Sequence, residues 1–358
     1  MFDHISFDGH EQVVFTHDAE TGLRAIIAVH STALGPAGGG CRLWRYESSD
    51  AALSDALRLS RGMSYKNALA GVPMGGGKAV VLGPLAADKR AAAFEAFGRA
   101  VEQLGGRYVT AEDVGVTVAD MDAIANSTAY VSGRRKTNGI GGDPSPYTAR
   151  GVRIGIEAAV AHAFNRSSLA GVRVAVQGLG NVGRNLCREL AERGAELFVS
   201  DIDAGRVEEV AALYGAHRVA PEDILLTEAD VLAPCALGGV IDAPLVERLQ
   251  APIIAGGANN QLAVAAVGEA LHRKGVIYVP DYLLNAGGII AVAGEYFGVE
   301  DPGSVDAAIE RIGERAREVL ERSRREDRPS AVIADEMARA IIAGERREPS
   351  FIEAKAFA

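Results

Sequence analysis

Residues 172–183, VRVAVQGLGNVG, read as an apolar strand that runs straight into a glycine turn and then into a helix. Gly178-Leu179-Gly180-Asn181-Val182-Gly183 is G-x-G-x-x-G, a weak signal on its own because turns use glycine freely. Its position gives it meaning. The run 172–177 is strand-like in its alternation and β-branching, and 181–193 has helical spacing. There, a first glycine makes a tight turn, a second lets a pyrophosphate approach the backbone, and a third allows close helix–strand packing. The helix N-terminus supplies oriented N–H groups for the anion. Asp201 ends the next strand, 196–200, about 20 residues past the glycines, where a carboxylate takes ribose hydroxyls and repels a 2′-phosphate. These features predict a dinucleotide site for NAD made by Gly178, Gly180, Asn181, Val182, Gly183 and Asp201, with Arg206 keeping NADP open.

Outward from this unit, apolar runs at 231–233, 253–255 and 276–279 alternate with helical spacing, which argues a parallel sheet covered on both faces. The stretch 305–320 has helical spacing and many charges. Toward the N-terminus the pattern is mixed. Runs 23–30 and 79–82 are β-like, 50–65 is helical with Asp50 as N-cap, and 89–104 is a second helix ended by Gly105-Gly106. Glycines and prolines between 138 and 146 break both periods and mark a hinge or boundary. The expected fold is α/β with two domains and an active-site cleft between them. Residues 1–140 form an α/β substrate, catalytic and oligomerisation domain. Residues 141–325 form a Rossmann-type doubly wound NAD-binding domain, and C-terminal helices at about 325–358 pack back on the first.

A chain of 358 residues suits two domains, and its 48% hydrophobic and 23% charged content is that of a soluble globular protein. Net charge of −10 disfavours nucleic acid or an anionic membrane as a partner. Three distant cysteines suggest no disulfide framework, and seven scattered histidines no metal site. With neither a signal peptide nor a membrane-length apolar run, the expected location is cytoplasmic.

One more stretch needs a reading. In GVPMGGGKAV, residues 71–80, a lysine follows three glycines. A phosphate loop, G-x-x-x-x-G-K-[ST], would need glycine at 72 and a hydroxyl at 79, where valine and alanine stand. Lys78 instead leads into an apolar strand, and Lys66 closes an apolar helix. Burial and a neighbouring ammonium would bring one lysine toward neutrality and make it a general base, in the range of about 7–8. The other would stay charged and hold a carboxylate. Asp113 could shuttle the proton or stabilise an iminium. On spacing alone, two solvated lysines and an N-capping aspartate explain these residues equally well.

GPAGGGCR, MSYKNALAGVPMGGGKA, YVTAEDVG, GDPSP, QGLGNVG, GGANNQLA and PDYLLNAGGII follow one another from residue 35 to 290. This series resembles the Glu/Leu/Phe/Val dehydrogenases, in particular the leucine/phenylalanine/valine branch. The resemblance implies NAD-dependent, reversible oxidative deamination of an L-amino acid to its 2-oxo acid and ammonia by a homo-oligomer. It implies that Lys66 binds the substrate carboxylate, that Lys78 activates water or accepts the amino-group proton, and that Asp113 assists proton transfer. It adds Thr148, Asn259 and Asn285 to the cofactor side and Gly39, Met63 and Asn260 to the substrate side. Ala111, Ile289 and Val292 fall where the family builds its side-chain pocket, and their bulk suits a branched aliphatic substrate. Gly38 departs from the leucine usual in relatives, which removes a wall and could admit phenylalanine or another bulky amino acid. A different class, a Rossmann protein that senses NAD or a ligand without turnover, would have no use for Lys66, Lys78 and Asp113 together.

Overall fold

The computed structural model describes residues 2–133, 143–346 and 352. The first part of the glycine- and proline-rich breaker, 138–142, and most of the end of the chain beyond 346 lie outside the described residues. Two compact units result. One draws on Met1–Asp143, Ile289–Val305 and Ala338–Ala358, the other on Pro144–Gly288 and Asp306–Met337. Residues 289–305, expected in the nucleotide domain, group with the first unit, and 326–337 group with the second. Among the described residues no helix is long and apolar enough to cross a membrane.

In the first unit the order is β1 (Gln12–Asp18), β2 (Leu23–Ser31), β3 (Ala37–Trp44), α1 (Ser49–Ala70), β4 (Gly75–Leu82), α2 (Arg90–Glu102), β5 (Tyr108–Glu112) and α3 (Val118–Ala125). The five strands form one sheet, β1-β2-β4-β3-β5. β2 runs antiparallel to β1 and β4, while β3 is parallel to β4 and β5. Alternation along a strand sends neighbours to opposite faces. Leu23, Ala25, Ile27 and Val29 accordingly join Phe94 and Phe97 of α2, whereas Ile26 and Ala28 join Ala52, Ala56 and Leu57 of α1.

α1 differs from expectation at both ends. Its N-cap is Ser48, whose hydroxyl accepts from the Ala51 amide, and Asp50 lies in the first turn, where the helix dipole favours a carboxylate. The helix continues to Ala70 and ends at Gly71, left-handed at φ 64°. Lys66 is therefore inside the helix. The three glycines of β4 let this helix and the neighbouring chain close in. A Cβ at Gly75 would stand 1.9 Å from the Ser31 carbonyl oxygen, and one at Gly76 would stand 2.1 Å from the Ser64 nitrogen. One at Gly77 would meet the Tyr108 ring at 2.6 Å.

His30, at the end of β2, meets Ser64 Oγ through Nδ1 at 2.7 Å, and its ring packs edge-on to His10 at 4.9 Å. Burial, followed by the charge of His10, lowers its pKa to about 4. The folded value lies below the unfolded 6.5, so this contribution to stability is complete above pH 6.5 and is lost as pH falls toward about 4. We expect the unfolding free energy from urea titrations to drop through that window, by up to about 1.4 kcal/mol per pH unit for one proton. The drop should shrink in His30→Gln. An unchanged pH profile in that variant would remove His30 as the cause.

The second unit contains α4 (Ser145–Phe164), β6 (Arg173–Gln177), α5 (Asn181–Ala191), β7 (Glu196–Ser200), α6 (Ala204–Tyr214), β8 (His217–Arg218), β9 (Val231–Pro234), α7 (Ala243–Arg248), β10 (Ile253–Ile254), α8 (Ala266–Lys274), β11 (Ile277–Tyr278) and α9 (Asp281–Leu284). The sheet order is β11-β10-β9-β6-β7-β8, and every pairing is parallel. The chain reverses its direction of travel beside β6, so the end of β6 is the topological switch point where doubly wound sheets bind ligands. The expected doubly wound architecture is present. Three further helices follow: α10 (Gly287–Tyr296), α11 (Pro302–Glu326) and α12 (Ser330–Ile342).

Candidate active site

Lys78 emerges from the middle of β4 with its side chain only 7% exposed, and its Nζ lies 2.7 Å from Asp113 Oδ2. Asp113 follows directly on β5. The two meet because position 40 is bare: a Cβ at Gly40 would stand 2.8 Å from Asp113 Cβ. The capping alternative for Asp113 fails, since α3 is capped by Thr117 in a reciprocal box with Asp120. A third member was not anticipated. Arg42 on β3 donates from Nε to Asp113 Oδ2 at 3.0 Å and from Nη1 to Asp55 Oδ2 at 3.0 Å. Tyr46 donates to the same Asp55 oxygen at 2.7 Å. Burial alone would push the Asp113 carboxyl up, but Lys78 and Arg42 outweigh it and hold the value at about 2. Asp113 is thus a carboxylate at neutral pH.

Around this pair the same unit gathers most of the anticipated substrate residues. A Cβ at Gly39 would meet the Gly77 carbonyl oxygen at 1.8 Å and Met63 Cγ of α1 at 3.2 Å. Lys66 lies one turn beyond Met63 on the same helix and is half-buried. Ala111 stands on β5 opposite Gly40. α10 is tied beside that strand, because Ser132 bonds the Thr110 carbonyl through its amide at 2.9 Å and the Val292 carbonyl through its hydroxyl at 3.1 Å. Ile289 and Val292 are both half-buried there. Gly38 corrects an expectation. A Cβ at Gly38 would stand 2.9 Å from Met74 Sδ and 3.1 Å from its Cε, and Met74 is 2% exposed. The space that glycine was expected to open is filled by a methionine from just before β4.

The second unit holds the residues expected to bind a dinucleotide. Gly178 adopts φ 92°, and a Cβ at Gly183 would stand 1.9 Å from the Gly178 carbonyl oxygen, so the turn closes only without one. Gly180 is the N-cap of α5 and offers no side chain to its first N–H groups. Nothing lies within 4 Å of a Cβ built there. Asn181 and Val182 begin the first turn. Asp201 is fixed at the end of β7: Oδ2 accepts from the Leu179 amide at 2.6 Å and Oδ1 from the Asp203 amide at 2.9 Å. Arg206 turns toward these acids, 3.3 Å from Asp203 and 4.0 Å from Asp201.

Asn285 donates to Asn259 Oδ1 at 2.8 Å and to the Gly257 carbonyl at 3.3 Å. It is 5% exposed, and its Oδ1 has no hydrogen-bond partner among the described residues. A buried amide oxygen of this kind is open to a further hydrogen-bond donor. Thr148 donates to the Pro144 carbonyl at 3.1 Å and sits against Gly288, where a Cβ would approach its Oγ1 to 2.6 Å. Asn260, exposed and left-handed at φ 52°, adjoins Asn259. The open backbone at Gly180, the uncapped helix end, the anchored Asp201 and the orphaned Asn285 oxygen fit a dinucleotide.

Residues 10–130 match the family model described as Glu/Leu/Phe/Val dehydrogenase, dimerisation domain. Residues 139–205 and 199–316 match that of Glutamate/Leucine/Phenylalanine/Valine dehydrogenase. The chain is 49% identical over 338 residues to leucine dehydrogenase of Geobacillus stearothermophilus, covering 94% of this chain and 92% of that protein. Leucine dehydrogenase of Bacillus subtilis is 47% identical over 350 residues, with 98% and 96% covered. Among solved structures, L-tryptophan dehydrogenase from Nostoc punctiforme superposes with a TM-score of 0.83 at 43% identity, covering 95% of this chain and 98% of the other.

Proposed function

The chain belongs to the Glu/Leu/Phe/Val dehydrogenase family and is an amino-acid dehydrogenase, and we propose that it deaminates branched aliphatic L-amino acids, leucine foremost, using NAD. The observation that carries the chemical reading is the Lys78–Asp113–Arg42 cluster, in the same unit as the half-buried Lys66 of α1. When bound, the nicotinamide accepts the hydride that leaves Cα. The chain's residues handle charge and protons. Lys66, as a permanent cation, holds the substrate carboxylate. Once it has given up its own proton, Lys78 accepts one from the substrate ammonium group and releases it to solvent. It then accepts a proton from the water that attacks the iminium and returns that proton to the departing ammonia. Asp113, held ionised by two cations, is a poor proton acceptor in the resting enzyme. Its charge instead orients Lys78 and stabilises the positive charge that develops on the substrate nitrogen. That reading favours electrostatic assistance over a shuttle for Asp113.

For the cofactor, the fixed Asp201 carboxylate supports NAD over its 2′-phosphorylated counterpart. For the substrate, the leucine dehydrogenase relatives and the methionine filling the space at Gly38 support an aliphatic side chain. Phenylalanine or another bulky substrate is the second reading, supported by the similarity to proteins named phenylalanine dehydrogenase and L-tryptophan dehydrogenase. The test is nicotinamide absorbance with a panel of L-amino acids, and in reverse with 2-oxo acids plus ammonium. We expect kcat/KM to be highest for leucine, valine or isoleucine. A preference for phenylalanine or tryptophan would overturn the aliphatic assignment.

A further inference from the structure

We propose that Met74 is a specificity-determining residue, its thioether serving as the pocket wall that the backbone at Gly38 lacks. The inference rests on the amino-acid dehydrogenase reading and deepens it. It begins with strand parity. Gly38, Gly40 and Arg42 alternate onto one face of β3. Arg42 bonds Asp113, and Gly40 lies directly beneath Asp113. Gly38 therefore faces the same side, one strand repeat further along. On β4, Gly76 pairs with Gly38, and Lys78 is two residues on and on that same face. At position 76 Ser64 of α1 closes this row, so the side chain missing beside the base and its carboxylate is the one at position 38.

Met74 fills part of the gap. It immediately precedes β4, and its Sδ and Cε occupy the volume a side chain at position 38 would enter. A methionine suits that task, because its unbranched, polarisable chain fits irregular spaces. Positions 38 and 74 thus share one volume and act as a coupled pair. The pocket's length is set by whichever of them supplies the bulk, and here it is position 74.

The experiment uses the full chain, with kcat/KM measured for leucine and phenylalanine. Wild type is measured first. Failure to turn over leucine would refute the substrate proposal, whereas the ratio of the two substrates tests Met74. One missing methylene in such a wall changes discrimination by roughly 10–200-fold. Met74→Ala removes the far end of the thioether, so we expect the phenylalanine-to-leucine ratio to rise at least about tenfold. Gly38→Leu combined with Met74→Ala should bring that ratio back toward wild type, because the lost bulk returns from the opposite strand. Gly38→Ala alone places a methyl 2.9 Å from Sδ and forces the thioether aside. It should shift preference between valine and leucine without needing the Met74 cavity, so it keeps the test open if Met74→Ala does not fold. A folded Met74→Ala with an unchanged ratio would overturn the proposal. So would a double variant no closer to wild type than the single, since a purely structural methionine predicts both.

Discussion

Replacing Lys78 with alanine lowers kcat by about 10²–10⁴-fold, the range that a positioned acid–base group supplies. The fold should survive the change. The side chain lost is the one paired to Asp113 at 2.7 Å, but Arg42 still donates to that carboxylate at 3.0 Å and keeps it from standing buried and unpaired. Substrate binding should persist in part, because the carboxylate is held elsewhere. Lys66→Ala supplies the contrast: KM rises for the amino acid while kcat at saturation falls much less. Steady-state rates across a substrate series separate the two. Near-wild-type turnover in Lys78→Ala would remove it as the base. A fall in kcat alone for Lys66→Ala would reverse the two roles.

The second large effect is expected at Gly183→Ala. The added methyl would stand 1.9 Å from the Gly178 carbonyl oxygen, and because that atom is backbone the turn itself must open. Opening it moves the first turn of α5 away from β6, and with it the N–H groups proposed to hold the pyrophosphate. We expect KM for NAD to rise by well over tenfold, together with a clear drop in melting temperature. Gly180→Ala is the partner measurement. No atom lies within 4 Å of its new methyl, so stability should hold while the methyl obstructs the approaching phosphates. Equal losses of stability in both variants would mean that the turn tolerates no side chain anywhere, and that Gly180 is not a point of ligand approach.

The strand, turn and helix that carry the proposed nucleotide site were legible in the sequence. Its geometry is local: strand, turn, helix and the following carboxylate lie within one βαβ span, so spacing alone carries the contacts. The chemical half was legible as residue types but not as partners. Arg42 and Asp113 are far apart in the chain, and only the parallel pairing of β3 with β5 brings them together. That is why Arg42 passed as part of a motif rather than as half of the Asp113 environment. Met74 was missed for the same reason, since its relation to Gly38 depends on how the chain enters β4. Ser48 and Gly71 were available signals for the ends of α1, but Asp50 competes as a cap and an apolar face alone does not reveal where a helix stops.

Gly75, Gly76 and Gly77 each face a different neighbour: the β2 backbone, the α1 backbone and an aromatic ring. Three adjacent residues are thus blocked by three separate partners, and no single movement relieves them all. Drift at these positions would require the sheet, the helix or Tyr108 to shift first, so the lysine that follows inherits a fixed address from residues that take no part in the reaction. A lineage could remodel its substrate preference through side chains around this strand for a long time while the strand itself stayed evolutionarily frozen.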